Sequence, residues 1–259
     1  MKYLKLLSLL AIMVFSFYYT DKIANFLLEK NKLYMEIESK KENYTINSVS
    51  ATIDGDFITP GLEGKHVNTK ESYFNMLGIE KFNQYYLVYT KTAPKVSIEN
   101  NKDKIIKNGN KNKNEISFII EDKKIASYFK TNNIIADCLI HKDTFNKESL
   151  FEQINNDVVN YKKVESLLNK SNLNKHLCII TKDNEELCRK NKSYLIKPNI
   201  ILNNTNFLEV KNKINKGDII YVKGLSSIEN LNILINTIKY NDLKIVPLSI
   251  LINEDRNIN

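Results

Sequence analysis

Between residues 115 and 254 the chain alternates short apolar runs with longer amphipathic stretches, and that alternation restricts the fold more than any other feature. The runs Glu115 to Ile120, Ile134 to Ile140, Leu177 to Thr181, Tyr194 to Lys197, Asp218 to Val222 and Lys244 to Val246 have the length and β-branched content of strands. Helical spacing occupies Lys124 to Thr131, Lys147 to Asn155, Tyr161 to Asn169, Asn184 to Lys190, Asn206 to Ile214 and Ser226 to Asn241. In the last of these, Ile228, Leu231, Ile233, Leu234, Ile235 and Ile238 make a broad apolar stripe. Strand and helix in turn imply βαβ units and a largely parallel sheet, an α/β fold. Periodicity alone fits an open doubly wound sheet and a closed barrel equally well.

The remainder of the chain is organised differently. Residues 33 to 101 read as a small β-rich module, with strand-like pieces (YTINSVSATI, DFITP, YYLVYT, KVSIE) separated by the turn formers Asp54-Gly55, Pro60-Gly61 and Gly64. One helix is expected between Asn68 and Leu77, because Asn68 followed three residues later by Glu71 has capping-box spacing. Tyr73, Phe74, Tyr85 and Tyr86 are the module's candidates for a small core or for stacking on sugar rings. Residues 102 to 114 are polar and read as a linker or hairpin, and 255 to 259 as a tail. With 259 residues, of which 42% are apolar, the chain can bury one sizeable core beside such a module.

Residues 1 to 32 read as an export signal. Lys2 and Lys5 precede the apolar run Leu6 to Tyr19, and Ile23, Ala24, Phe26, Leu27 and Leu28 continue it. The uninterrupted run is shorter than the roughly 20 residues of a spanning helix, but no small-x-small cleavage site follows it, so the expectation is an uncleaved signal anchor. Positive charge ahead of the run places the amino terminus in the cytoplasm and the rest outside, a single-pass protein of the cell membrane.

Charge and cysteine narrow the partners. Lys and Arg outnumber Asp and Glu by 38 to 30, yet Arg occurs only at positions 189 and 256. A diffuse Lys surface lacks the Arg fork that reads base edges, so no nucleic acid is expected as a partner. Cys138 and Cys178 lie inside apolar runs, and a Cys178 to Cys188 bridge is open to a protein outside the cell. The three histidines, His66, His141 and His176, are dispersed and have no zinc-site spacing.

Three landmarks resemble the polysaccharide deacetylases, the fourth carbohydrate esterase family. The first strand ends Ile119-Ile120-Glu121-Asp122-Lys123, where the family has Thr-Phe-Asp-Asp-Gly. Residues Thr131 to Leu139 (TNNIIADCL) look like the family's long loop and following strand, and Ile235 to Leu251 is similar to its closing helix, turn, strand and Leu-Ser. The resemblance implies a distorted (β/α) barrel over residues 115 to 254, preceded by the β-rich module and the membrane helix.

It also implies a chemistry. The family holds a divalent metal with one Asp and two His, uses a second Asp as base on metal-bound water and places a late His as general acid. Here Glu121 stands at the base position and Asp122 at the metal carboxylate. The two histidine positions fall on Tyr161 and Glu165, and Tyr is a poor ligand because its phenol must first lose a proton near pKa ~10. Lys223 takes the place of the acid, unable to shuttle a proton near neutrality with an ordinary pKa of ~10.4. Thr181-Lys182-Asp183-Asn184 replaces the family's Arg-Pro-Pro segment, and the chain has no Trp.

The leading expectation is therefore a membrane-anchored, extracytoplasmic deacetylase-like protein without activity or cofactor, acting as a scaffold or binding cell-wall glycan or an envelope protein. One alternative is a divergent N-deacetylase with a carboxylate cage for a divalent metal, built on Asp122 and Glu165 with Glu121. The other is a non-enzymatic α/β interaction domain.

Overall fold

The structure, a computed structural model, describes residues 2–147, 150–173 and 176–256, without the side chains of residues 2–6, 8 and 9. In chain order the elements begin with α1 (Lys2–Glu29), α2 (Lys32–Lys40), β1 (Thr52–Asp54), β2 (Phe57–Thr59), β3 (Gly64–Val67), α3 (Thr69–Met76), β4 (Tyr89–Thr92) and β5 (Ile105–Ile106). Then come β6 (Glu115–Ile120), α4 (Lys123–Thr131), β7 (Asp137–Ile140), β8 (Glu152–Asn155), α5 (Tyr161–Lys170), β9 (Leu177–Ile179), α6 (Glu185–Lys190) and β10 (Tyr194–Ile196). The last are β11 (Ile200–Leu202), α7 (Phe207–Lys213), β12 (Ile219–Val222), α8 (Ile228–Tyr240), β13 (Lys244–Ile245) and α9 (Leu248–Leu251).

The chain divides into two compact units. Residues 1–47 and 64–92 belong to the first, residues 48–63 and 93–256 to the second. The boundaries expected near 101 and 114 thus fall inside the second unit. The β1–β2 hairpin and β5 sit there because their backbones pair in its sheet: β5 lies between β2 and β10, with Ile105 opposite Phe57 and Leu195.

In the first unit, β3 and β4 pair antiparallel and α3 starts at Asn68, whose side chain accepts a hydrogen bond from the Glu71 amide at 3.1 Å. Ile37, Val67, Tyr73, Met76 and Leu87 form its core, so Tyr73 is a packing residue, whereas Phe74, Tyr85 and Tyr86 are exposed. Helix α1 exposes large apolar side chains from Leu7 to Leu27. Among the described residues no helix is long and apolar enough to cross a membrane.

The second unit carries two mostly parallel sheets, of order β11-β12-β6-β7-β8, with β13 also on β6, and β1-β2-β5-β10-β9. Among the described residues their ladders do not join into one closed ring, and β8 and β9 lie side by side without pairing. Strand parity explains the layers. Ile116, Phe118 and Ile120 of β6 face α4 and α8, where Phe118 meets Phe129 edge to face at 5.3 Å and Leu231, Leu234, Ile235 and Ile238 are buried. Ile119 points the other way, into a core shared by both sheets with Ile58, Ile106, Leu139, Ile154, Ile179 and Ile196, closed by Leu248 and Leu251. Two sheets enclosing a common core form in place of a single open doubly wound sheet. Ile228 and Ile233 belong to the exposed side of α8.

Two expectations fail locally. The stretch Lys147 to Asn155, read as a helix, contains strand β8, and its Glu148 and Ser149 lie outside the described residues. The piece KVSIE makes no strand. Residues 257 to 259 of the expected tail also lie outside the description. Cys178 and Cys188 form the bridge open to them, tying β9 to α6, and Cys138 is free.

Candidate functional site

The carboxyl ends of β6 and β12 bring part of the expected constellation together. The register sets Ile119 beside Tyr221 and Ile120 beside Val222. Glu121, one residue beyond β6, therefore reaches the Tyr221 side chain, and the Tyr221 hydroxyl donates to its Oε2. Burial, and after it the Glu121 carboxylate, raises the Tyr221 pKa, so the phenol keeps its proton. Lys223 stands next to the pair, its Nζ 5.8 Å from the centre of the Tyr221 ring. A base at Glu121 has one oxygen already engaged, and a cation replaces the proton donor.

Asp122 does something else. It is the N-cap of α4, and a single oxygen, Oδ1, accepts from the amides of Lys124 at 2.7 Å and Ile125 at 3.1 Å. Those are two of the four donors that a helix start leaves without intrahelical partners. The carboxylate that the resemblance assigns to a metal thus satisfies backbone instead.

Tyr161 and Glu165 lie one helical turn apart on α5. The Tyr161 side chain is buried with Val164 and Leu168, and its backbone carbonyl accepts from Asn155 Nδ2 at 2.9 Å. Burial raises its pKa, the Ser193 side chain opposes this and Glu165 adds to it. A phenol in that setting stays neutral and is a poor metal donor. The loop before α5 is fixed by Asp157, which accepts from the amides of Asn160 at 2.7 Å and Lys142 at 2.9 Å; these bonds hold its carboxyl below the ordinary range.

Among the described residues no group of three or more His, Cys, Asp or Glu side chains is placed to hold a metal ion. A cage of Glu121, Asp122 and Glu165 is not assembled, and these residues do not fit the family's metal. His141 follows β7 and meets the Asn156 amide at 3.3 Å, and His66 lies on β3 of the other unit.

Sequence reasoning missed the acids that the fold uses most heavily. Asp137 and Glu152 are partners across the β7–β8 register. Asp137, fully buried, takes the Leu248 amide on both oxygens, and Glu152 Oε2 takes the Ser249 amide at 2.9 Å. Burial first, and then Glu152, push the Asp137 pKa well above the carboxylate range. Together the two carboxyl groups hold the first turn of α9. Parity was the signal: Asp137 and Leu139 share a strand face, so the acid had to point inward with the leucine.

A cavity of ≈ 540 Å³ opens beside Glu121 and Asp122, but its floor is the opposite face of the sheet, at Ile120, Cys138 and Ile140. Burial lifts the Cys138 thiol to about 12, so it packs there as an unreactive apolar group.

No protein-family model matches the chain. The uncharacterized protein YlxY of Bacillus subtilis is 34% identical over 92 residues, 35% of this chain and 29% of that protein. This chain thus spans less than a third of the relative's length. Among solved structures, wild-type BA3943, a family-four carbohydrate esterase pseudoenzyme from Bacillus anthracis, aligns with a TM-score of 0.58 at 18% identity, over 88% of this chain and 97% of that one. A BA3943 mutant with restored enzymatic activity aligns equally well, at 19% identity over 87% of this chain and 99% of that one. The fold of this chain is the one found in the polysaccharide deacetylases of carbohydrate esterase family four, including a pseudoenzyme among them.

Proposed function

We propose that this chain is a deacetylase-like pseudoenzyme of the cell envelope that uses its surface, not a reaction, as a scaffold or as a binding module for cell-wall glycan or an envelope protein. The observation that carries the reading is Asp122: at the position of the family's metal carboxylate, its oxygen caps a helix, and among the described residues no group of three or more His, Cys, Asp or Glu is placed to hold a metal. The replacements at Tyr161, Glu165 and Lys223 point the same way, since none supplies a neutral imidazole for binding a metal or moving a proton near pH ~7. The likeness to BA3943 supports it as well, because that fold exists in an inactive form and regains activity by mutation.

The location belongs to the same proposal. The apolar run of α1 that follows Lys2 and Lys5 would tether the chain to the cell membrane with the residues after the helix outside. Its support is the run of exposed apolar side chains, Phe17 at 75% and Leu27 at 62% among them, since so much exposed apolar surface on one helix seeks a nonaqueous partner. Carbonate extraction of membranes and protease treatment of whole cells test it, and a soluble chain refutes the tether.

The activity is tested by incubating the full chain with N-acetylglucosamine oligomers and zinc, cobalt or magnesium. Acetate should stay at the level of the protein-free blank. Release that depends on the metal and on the protein sinks the pseudoenzyme reading.

A further inference from the structure

Two acids sit side by side where the core shared by both sheets meets α9. Asp137 and Glu152 open neighbouring parallel strands and are partners in the register, one strand spacing of about 4.8 Å apart. Each shares its strand face with a core residue, Leu139 or Ile154, so both carboxyl groups point inward. Asp137 is 0% exposed. Two carboxylates held this close out of water repel, and such a pair keeps one proton where a lone surface acid would lose it.

The donors fall short by one. Both Asp137 oxygens accept from the single Leu248 amide, at 3.1 and 2.9 Å, and Glu152 Oε2 accepts from the Ser249 amide at 2.9 Å. Glu152 Oε1 is buried and meets no donor. A proton on Asp137 supplies the one that is missing, since a neutral carboxyl donates one O–H and still accepts.

The neighbours put no cation in its place. α9 carries no ionisable side chain, and β6 turns Ser117 to the Val246 carbonyl, at 2.6 Å. β9 contributes Leu177 and Ile179, His176 before it is exposed, and Cys138 faces the other layer. Lys113 is taken up by the Ile250 and Asn253 carbonyls at the far end of α9, 3.9 Å from Glu115. Beyond Ser249 come only more acids, Glu63, Glu99, Glu254 and Asp255, around a cavity of ≈ 300 Å³. Burial, and after it Glu152, hold the Asp137 carboxyl well above the usual carboxylate range.

We propose that Asp137 and Glu152 hold one proton between them and work as a latch on α9, shut while the proton is present and released when alkali takes it. Hydroxide removes the shared proton as water and leaves two carboxylates. Their repulsion across the register, and their need for hydration, then pull them from the Leu248 and Ser249 amides. Leu248 and Leu251, which close the core, lift with the first turn of α9. The movement stays local, because Glu254 still anchors the segment after α9 on the Gly61 and Ile98 amides, at 2.6 and 3.1 Å.

Hydrogen exchange of the full chain, read by NMR residue by residue, tests the latch. The released form has an ordinary carboxyl and the shut form keeps its proton, so the opening constant at the Leu248 and Ser249 amides should rise about tenfold per pH unit between about pH 5 and about pH 7. These amides should also open at least about tenfold more often than those of Ile119 and Ile120 in β6, the sign of a local release. Asp137→Asn keeps the acceptor for Leu248 and offers Glu152 a permanent N–H, so its opening constant should not change with pH. Carbon-13 titration of the Asp137 carboxyl gives a second reading: in Glu152→Gln, which removes the charged partner, it should move to lower pH. A pH-independent opening constant in the parent overturns the proposal, as does a slope that survives in Asp137→Asn. So do opening constants equal to those of Ile119 and Ile120, which report global unfolding, and a carboxyl titration that Glu152→Gln leaves in place.

Discussion

Replacing Asp122 separates a structural acid from a metal ligand. In the structure its Oδ1 accepts from two amides at the start of α4, at 2.7 and 3.1 Å, in an exposed position. Losing an N-cap of this kind costs about 1 kcal/mol, within a range of about 0.5–2, whereas Asn caps nearly as well as Asp. Asp122→Ala should therefore lower stability by about 1 kcal/mol, a fall of about 2–4 °C in the midpoint for a unit of this size. Asp122→Asn should stay within a few tenths of a kcal/mol of the parent. Thermal and urea unfolding, each with zinc and with a chelator, measure both variants. The capping account is refuted if zinc stabilises the parent and both substitutions remove that stabilisation, or if Asn is as harmful as Ala.

Two further substitutions probe the interior. Asp137 has a folded pKa above its unfolded one, so its contribution to stability is complete below the ordinary carboxylate range and is lost as pH rises through the folded value. Asp137→Asn should remove that slope, and its stability relative to the parent should improve between about pH 5 and about pH 8 in urea titrations; an unchanged difference contradicts the assignment. Gly217 has φ +84°, and a Cβ there would lie 2.6 Å from the Gly109 carbonyl oxygen. Gly217→Ala should cost about 3 kcal/mol by adding strain and a backbone clash where β12 begins, and a midpoint equal to the parent's would show that this approach is not needed.

The parts of the fold that could be read in the sequence are those where one physical signal dominates. β6 is a short, mostly apolar and β-branched run, α4 and α8 have clear helical stripes, and Asn68 announces α3. The missed strand β8 shows the limit. Leu150, Phe151 and Ile154 fall at helical spacing, while Glu152, Gln153 and Asn155 look like the solvated side of such a helix. All three are instead held by tertiary partners: Glu152 by the Ser249 amide, Gln153 by the Asn146 carbonyl, and Asn155 by the Tyr161 carbonyl. Polar residues that bond distant backbone defeat a reading that equates polarity with exposure. β5 escaped for another reason. Its two residues, Ile105 and Ile106, sit in a polar stretch, and only pairing with β2 and β10 makes them a strand.

The candidate site divides along the same line. That Glu121 and Asp122 end a strand follows from the run before them. That Tyr221 takes up Glu121 depends on the β6–β12 register, which local composition does not encode, whereas Asp122 directly before a helical stretch is a cap signal of the same kind as Asn68.

Equilibrium dialysis of the full chain against zinc, with metal analysis of the retained protein, reaches the central claim most directly. The donor geometry predicts no stoichiometric binding at micromolar free zinc, and the same result for Asp122→Ala. One tightly held equivalent in the parent, lost in Asp122→Ala, would contradict it.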